Sequence, residues 1–317
     1  MASDHPREHN NDSFKLANVF DVKGKIALIT GKPSQTEQIR SMLLTISTGG
    51  GSGIGLMATQ SLAVNGAKVY IIGRTEEKLE TVAKTYNEGI EGEIIPLTAD
   101  ISSKESISKL FEEFSSKESH LDILINNAGI STSTFKTAGK NAEELKSNLF
   151  DNKDASFEDW EAVYRTNVGQ LYFVTTCFLP LLQKATEKTY GWSSTVINIS
   201  SMSGEVKTMQ HHPQYNASKA AASHLTRMMA NEFFQAGLKI RVNSISPGVF
   251  PSEMTAGESG ANQKSHVEKE KYEGKAAAQR PGKDRDMAGA VLYAATNQYW
   301  NGQNVTIDGG YELVSGK

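Results

Sequence analysis

A tyrosine and a lysine four positions apart, Tyr215 and Lys219, are the residues whose types and spacing point most directly to chemistry. In a helix, residues at i and i+4 lie on one face about one turn apart. A phenol with an ordinary pKa of about 10 is a poor proton donor or acceptor at neutral pH, but a fixed ammonium group stabilises phenolate and lowers that pKa. The pair therefore predicts a general acid for ketone reduction, or a general base for alcohol oxidation.

Two serines end a β-branched apolar segment upstream of this pair, and Ser201 is the stronger candidate. Ligands of open parallel sheets bind beyond the carboxyl ends of the strands. Ser201 can there donate a hydrogen bond to a carbonyl oxygen as negative charge develops on it. Ser200 is less favoured, because serines at strand ends often only form turns. His211 and His212 are acid or base candidates by type, but no paired carboxylate is evident, which favours surface histidines.

A glycine-rich turn at residues 49–55 precedes an amphipathic helix. Glycines let the backbone approach a pyrophosphate closely, and the positive end of the following helix favours the anion. A strand predicted at residues 68–72 follows the helix and completes a βαβ unit, which favours a dinucleotide site over an ordinary glycine-rich loop. The candidate cofactor contacts in this turn are Gly49, Gly53, Ile54 and Gly55.

An insertion separates this turn from the strand that should lead into it. Residues 31–48 follow the predicted strand at 26–30, and their deletion leaves the continuous segment KIALITGGGSGIG. A retained intron is one explanation, since codons within and at both ends of the insertion can carry splice signals. The alternatives are a genuine loop, or a replacement in which residues 42–47 form the first strand and residues 26–30 are displaced. In each case the insertion can alter the glycine-rich turn that is predicted to bind the phosphates of the cofactor.

The end of the second strand distinguishes between the two nicotinamide cofactors. An acidic residue there would bind the ribose hydroxyls of NAD and repel a 2′-phosphate. The sequence instead has Gly73 followed by Arg74, which leaves room for that phosphate and supplies a guanidinium that can bind it. NADP(H) is therefore the predicted cofactor, and the alternative is a solvated arginine at the start of a helix.

The elements that position these residues alternate along the chain. From Lys25 onward, short β-branched strands and longer helical patterns follow one another, which is typical of βαβ units and a parallel sheet covered on both faces. No long linker separates two cores, so we expect an α/β fold: a Rossmann-type doubly wound parallel sheet of about seven strands in a single domain at residues 21–317. The predicted strands are 26–30, 68–72, 93–97, 123–126, 195–199, 240–245 and 304–307. The predicted helices are 55–65, 76–86, 104–115, 157–183, 214–236 and 284–296.

Two polar stretches interrupt this alternation, at residues 131–155 and 252–282. The second is rich in Gly, Lys and Glu, and it is long enough for a substrate lid, since loops of that length are usually functional or disordered. Residues 1–20 are polar and are predicted to form a disordered leader.

Composition excludes several classes of function. A net charge of −3 over 317 residues provides neither a broad basic field for nucleic acid nor an attraction to a membrane surface. The single cysteine, Cys177, excludes an internal disulfide or a zinc site built on several thiolates, and favours a reducing compartment. No run of about 18 apolar residues is present, and the N-terminus matches neither a secretory signal nor a transit peptide. We therefore expect a cytoplasmic protein with no metal, nucleic-acid or membrane partner.

Together these motifs resemble those of the short-chain dehydrogenase/reductase family, over essentially the whole chain from residue 22. The resemblance implies that Asp100 and Ile101 border the adenine and that Asn127 contacts the ribose side of the cofactor. It also implies that Asn167 holds a water linking Lys219 to solvent, although stabilisation of a helix kink is the alternative for that asparagine. Tyr215 and Lys219 are themselves expected to contact the cofactor, with Lys219 orienting the nicotinamide ribose. It further implies a small-molecule carbonyl or alcohol substrate and a homotetramer or homodimer.

The segment PGVFPSEMT at residues 247–255 is similar to that of rhamnolipid-type 3-oxoacyl reductases, which reduce β-keto thioesters. This similarity implies a keto-acyl substrate and adds Phe250 and Ser252 to the candidate cofactor contacts. In the alternative interpretation, Phe250 and Met254 only pack the lid. We therefore expect an NADPH-dependent carbonyl reductase. The other candidates are a polyol or sugar, polyketide or quinone reductase of the same family, and a non-catalytic chain disabled by the insertion.

Overall fold

A computed structural model describes residues 11–31 and 50–315 of the chain, apart from the side chains of residues 271 and 272. Gly49 and all of the insertion except Gly31 lie outside the described residues. The predictions about them therefore stay predictions.

One sheet forms the centre of the molecule. Its strands in chain order are β1 (Ile26–Ile29), β2 (Lys68–Gly73), β3 (Glu93–Thr98), β4 (Ile123–Asn126), β5 (Thr195–Ile199), β6 (Arg241–Pro247) and β7 (Asn304–Ile307). They are all parallel and lie in the order β3-β2-β1-β4-β5-β6-β7. The predicted single-domain Rossmann-type fold is thereby confirmed. The strand order reverses between β1 and β4, which is the position where sheets of this kind bind ligands.

Helices cover both faces of this sheet. They are α1 (Leu16–Val19), α2 (Gly53–Val64), α3 (Glu76–Tyr86), α4 (Lys104–Lys117), α5 (Ala142–Leu149), α6 (Phe157–Tyr164), α7 (Gln170–Lys188), α8 (Pro213–Gln235), α9 (Glu253–Ala256), α10 (Asp284–Thr296) and α11 (Tyr311–Ser315). Helices α2, α3 and α10 pack against one face, and α4, α7 and α8 against the other. Because both faces are covered, every residue of β1, β4, β5 and β6 is buried.

The single helix predicted over residues 157–183 is wrong in its middle. A π-helical turn, Arg165–Gly169, separates α6 from α7. The wider turn coincides with the buried side chain of Asn167, which binds the backbone of Ile130 instead of facing solvent. Such turns are rare and occur frequently at functional sites.

The first polar stretch contains a helix, α5, that the sequence analysis did not predict. Its N-cap residue, Asn141, accepts a hydrogen bond from the backbone N–H of Glu144 at 2.8 Å. An Asn three residues before a Glu is a start signal for a helix, so this element was open to prediction. None of its residues is buried.

Strand β1 excludes one of the three interpretations of the insertion. It pairs with β2 on one side and with β4 on the other, for example Ala27 with Val69 and with Ile123. The interpretation in which residues 26–30 are displaced from the sheet is therefore wrong. Thr30 and Gly31 follow β1 as buried residues, and the described chain resumes at Gly50.

The predicted leader at residues 1–20 is described only from Asn11 onward. There it forms a 3₁₀ turn, Asn11–Phe14, and the short helix α1, and neither element has a buried residue. Among the described helices, none is both long and apolar enough to cross a membrane.

Candidate active site

Ser201 lies just beyond the carboxyl end of β5. It caps the short 3₁₀ turn Met202–Gly204, where its Oγ accepts a hydrogen bond from the N–H of Ser203 at 3.1 Å. The neighbouring Ser200 has a structural task, since its Oγ donates to the carbonyl of Lys219 at 2.9 Å and pairs with Ser223 Oγ. The geometry thus agrees with the sequence preference for Ser201 over Ser200.

Tyr215 and Lys219 lie on the first two turns of α8, which begins with a proline at its first position. Both are buried, with 8% and 4% of their surfaces exposed. The ammonium of Lys219 lies 5.7 Å from the centre of the Tyr215 ring and donates to the carbonyl of Ile199 at 2.9 Å. The side chain of Ser201 lies beside the hydroxyl of Tyr215. The structure thus brings the three predicted catalytic groups together.

Burial dominates the protonation of this pair. It raises the pKa of Tyr215, and the side chain of Ser201 opposes that shift. It lowers the pKa of Lys219 to about 8. Loss of water disfavours the charged form of either group. The expectation that the ammonium lowers the tyrosine pKa does not hold in the protein alone, where burial is the larger effect.

Asn167 joins the loop after β4 to the catalytic helix. Its Nδ2 donates to the carbonyl of Ile130 and to Ser218 Oγ, both at 3.0 Å, and its Oδ1 accepts from the N–H of Ile130 at 2.9 Å. A Cβ at Gly129 would lie 3.3 Å from Lys219 Nζ and 3.4 Å from Asn167 Oδ1. The asparagine, the lysine and this glycine therefore meet at one point.

The described part of the glycine-rich turn has features that suit a pyrophosphate. A Cβ at Gly50 would lie 2.9 Å from the carbonyl oxygen of Ile29, so the chain can pass close to β1 only without a side chain. Gly53, Ile54 and Gly55 form the first turn of α2, which has no acidic residue and no side-chain cap. The partial positive charge of this helix end is therefore not offset by a carboxylate.

The other predicted cofactor contacts lie at the carboxyl ends of neighbouring strands. Arg74 follows β2, Asp100 and Ile101 follow β3, and Asn127 follows β4. The carboxylate of Asp100 accepts hydrogen bonds from the N–H and hydroxyl of Ser102, and Ile101 is buried. The residues predicted from separate motifs thus share one edge of the sheet.

Phe250 and Ser252 form the base of the lid. The ring of Phe250 packs against Gly282, where a Cβ would lie only 2.3 Å from the ring. Ser252 caps α9 in a reciprocal arrangement with Thr255. Both side chains therefore serve the packing of the lid, as the alternative interpretation of Phe250 expected.

His211 and His212 differ in environment. His211 is exposed, and its Nδ1 lies 3.2 Å from the carbonyl oxygen of Phe135. His212 packs edge-on against Tyr215 with the ring centres 5.2 Å apart, and its Nε2 is buried. Burial lowers the pKa of His212 to about 4, so it is neutral at physiological pH. The interpretation as a surface residue therefore fails for His212.

A buried polar group beside Tyr215 escaped the sequence analysis. Gln214 is fully buried, and the two protons of its Nε2 face three acceptors: Thr132 Oγ1 at 3.0 Å, the carbonyl oxygen of Ser133 at 2.8 Å and Asp159 Oδ2 at 2.6 Å. Burial raises the pKa of Asp159. These contacts hold the loop after β4 against the start of α8. Only the position of Gln214 next to Tyr215 could have suggested its role.

No cluster of potential metal ligands occurs among the described residues.

Comparison with known proteins finds relatives that match most of the chain. The family model described as short chain dehydrogenase matches residues 44–263. The chain is 36% identical over 275 residues to the short-chain dehydrogenase/reductase PhomF of Diaporthe leptostromiformis, with 86% of this chain and 91% of that protein covered. It is 32% identical over 296 residues to the rhamnolipids biosynthesis 3-oxoacyl-[acyl-carrier-protein] reductase of Pseudomonas aeruginosa, with 93% and 98% covered.

A solved structure shows the same relationship. The Pseudomonas aeruginosa RhlG/NADP active-site complex aligns with a TM-score of 0.70 at 29% identity and covers 93% of this chain and 99% of that one. The sheet order, the family match and these similarities agree with one another. The chain belongs to the short-chain dehydrogenase/reductase family of oxidoreductases.

Proposed function

We propose that this protein is an NADPH-dependent carbonyl reductase that transfers hydride to a ketone. The observation that carries the proposal is the meeting of Ser201, Tyr215 and Lys219 at the carboxyl end of β5, with the serine side chain beside the tyrosine hydroxyl.

In this mechanism the bound cofactor supplies the hydride. Ser201 and Tyr215 hold the carbonyl oxygen of the substrate, and Tyr215 gives it a proton as negative charge develops. Lys219, whose pKa burial lowers to about 8, then returns a proton toward the phenolate. Asn167 keeps the loop after β4 beside the lysine, where a water between them would complete the path of the proton to solvent.

NADPH is proposed over NADH on the basis of charge. Gly73 ends β2 without a side chain, and Arg74 follows it at the edge where the adenosine end of a dinucleotide lies in such folds. The solved relative described above carries NADP in its title. The first turn of α2, free of acidic residues, suits either dinucleotide and does not discriminate between them.

The proposed substrate is a 3-oxoacyl thioester. Its support is the segment at residues 247–255 and the name of the relative from Pseudomonas aeruginosa. A polyol or sugar, a polyketide or a quinone are the alternative substrates. We further propose that the protein is cytoplasmic and forms a homo-oligomer, either a tetramer or a dimer. Analytical ultracentrifugation tests the oligomeric state directly.

A second candidate function is a folded chain that binds cofactor poorly. The observation in its favour is the position of the insertion, which joins Gly31 at the end of β1 to the glycine-rich turn at Gly50. The experiment compares the full chain with a chain lacking residues 31–48. NADPH affinity and NADPH oxidation are measured with a 3-oxoacyl thioester and with small diketones.

Turnover by both chains would support the enzyme and a tolerated loop. Turnover by the shortened chain alone would support the enzyme and identify the insertion as disabling. If both chains fold but neither binds NADPH, the proposed function is wrong.

A further inference from the structure

Part of the lid crosses the start of α2. This part of the lid, together with Pro251 just before it, is the strap (residues 251–265). A narrow cavity separates the two elements, with Gly53, Met57 and Gln60 on the α2 side and Pro251 and Lys264 on the strap side. Gly53 belongs to the glycine-rich turn. The strap therefore borders the proposed phosphate site, in addition to any contact that the lid makes with the substrate.

An ion pair fastens the strap to α3. Lys78 Nζ lies 2.8 Å from Glu253 Oε1, and Ser259 Oγ donates to the same oxygen at 2.6 Å. The side chain of Glu253 is 4% exposed, whereas that of Lys78 is 45% exposed. A buried carboxylate that loses its cation is strongly disfavoured. Closure of the strap therefore depends on Lys78.

Further contacts hold the far end of the strap. Tyr86, at the end of α3, donates its hydroxyl proton to the carbonyl of Asn262 at 2.7 Å. Lys264 Nζ lies 2.7 Å from Asp284 Oδ2 on α10 and 5.8 Å from the centre of the Tyr86 ring. Each of these contacts joins the strap to α3 or to α10.

The base of the lid is closed independently of the strap. The N–H of Gly282 donates to the carbonyl of Val249 at 2.8 Å, which joins the two ends of the lid, and the ring of Phe250 packs on Gly282. Opening of the strap therefore requires release of its contacts with α3 and α10, and the base need not move.

The backbone of Lys78 also lies close to the glycine-rich turn. A Cβ at Gly51 would lie 3.9 Å from the carbonyl oxygen of Lys78 and 3.4 Å from Leu79 Cδ2. The main chain of Lys78 thus lies beside the turn, and its side chain holds the strap.

We propose that Lys78 and Glu253 form a latch that keeps the strap closed over the dinucleotide and limits the rate at which the cofactor leaves. They are positioning residues, because neither is proposed to touch the reacting atoms. The inference rests on the proposed function for the location of the cofactor. It adds a determinant of cofactor exchange on the lid, a segment whose other proposed role is to cover the substrate.

The test measures NADPH release by stopped-flow fluorescence in the full chain. Lys78→Met and Glu253→Gln should each speed release about tenfold, since each removes one partner of the ion pair that compensates the buried carboxylate of Glu253. The double variant Lys78→Glu/Glu253→Lys should restore release toward the native rate. Subtilisin should cleave the ligand-free protein within residues 257–265 faster in the two single variants than in the native chain, and at close to the native rate in the double variant. This readout needs no cofactor.

Matched controls are Lys84→Met on α3 and Glu258→Gln on the strap, both at exposed positions. Neither should change release or cleavage. NADPH binding with unchanged release and cleavage in Lys78→Met overturns the latch while leaving the proposed function intact. If the native chain does not bind NADPH but cleavage increases in Lys78→Met, the ion pair still fastens the strap. Its proposed role in cofactor release would then be overturned.

Discussion

The side-chain amide of Asn167 binds both backbone groups of Ile130, donating to its carbonyl at 3.0 Å and accepting from its N–H at 2.9 Å. The same amide donates to Ser218, whose hydroxyl donates to the carbonyl of Tyr215 at 2.7 Å. The π-helical turn between α6 and α7 thus positions a side-chain amide that connects the loop after β4 with the catalytic helix.

Replacement of this amide should cost stability as well as activity. Asn167→Leu leaves the buried N–H and carbonyl of Ile130 unpaired, which we expect to lower the free energy of unfolding by about 2–4 kcal/mol. Asn167→Asp keeps the acceptor for the N–H and should cost less. Urea denaturation followed by circular dichroism measures both variants, and an equal loss in the two would contradict the argument.

The acid and donor roles can be separated by substitution. In whichever form of the chain turns over ketone, Tyr215→Phe removes the proton donor and should lower kcat about 10²–10⁴-fold. Ser201→Ala removes one hydrogen bond to the developing oxyanion and should lower kcat about 10²–10³-fold. The Kd for NADPH should change little in either variant. Loss of NADPH binding in parallel with kcat would count against roles confined to the substrate oxygen.

The motifs at strand ends could be predicted because local sequence determines where a buried strand stops. Ser201, Arg74, Asp100 and Asn127 each follow an apolar run, and parallel strands bring their carboxyl ends to one edge. The spacing of Tyr215 and Lys219 likewise depends only on helix geometry.

Contacts between distant segments could not be predicted in this way. Gln214 and Asp159 are 55 residues apart, and their hydrogen bond depends on the path of the loop after β4. The packing of His212 on Tyr215 and the π-helical turn at Asn167 depend equally on tertiary structure. A single sequence contains no periodicity that reports such pairings.

Gln214 allows a test of how the wall beside Tyr215 is held. Gln214→Leu has a similar volume but loses the hydrogen bonds to Thr132, Ser133 and Asp159. It also leaves the carboxyl of Asp159 without one of its donors, so we expect a loss of about 1–3 kcal/mol in the free energy of unfolding. Gln214→Glu should also lower the free energy of unfolding relative to the native chain, because it places a second carboxylate beside Asp159. Thermal and urea unfolding measure both changes, and native stability in Gln214→Leu would refute this account.

The buried lysine makes a prediction about pH. Burial lowers the pKa of Lys219 to about 8, below the ordinary value of 10.5. Between these pH values the unfolded chain binds more protons than the folded chain, so the free energy of unfolding rises with pH across this range. The cost of the buried ammonium, about 3 kcal/mol, is therefore present in full below pH 8.

Lys219→Met removes this dependence together with the reaction. The difference in unfolding free energy, variant minus native, should fall by up to about 3 kcal/mol between pH 7.5 and pH 10.5, because only the native chain gains stability. The lost hydrogen bond to Ile199 shifts both values equally and does not affect this slope. Urea denaturation at several pH values provides the measurement, with the exposed Lys84→Met as control. A flat difference would mean that Lys219 keeps an ordinary pKa.

The choice of cofactor is tested at the end of β2, where Gly73 is followed by Arg74. Arg74→Asp replaces a group that can bind a 2′-phosphate with one that repels it and suits the ribose hydroxyls of NADH. We expect KM for NADPH to rise at least tenfold while KM for NADH rises little or falls. Arg74→Gln, which removes the charge without adding repulsion, should have an intermediate effect on NADPH. Initial rates with both cofactors provide the comparison. An equal change in the two KM values would place Arg74 outside the phosphate site and remove the argument for NADPH.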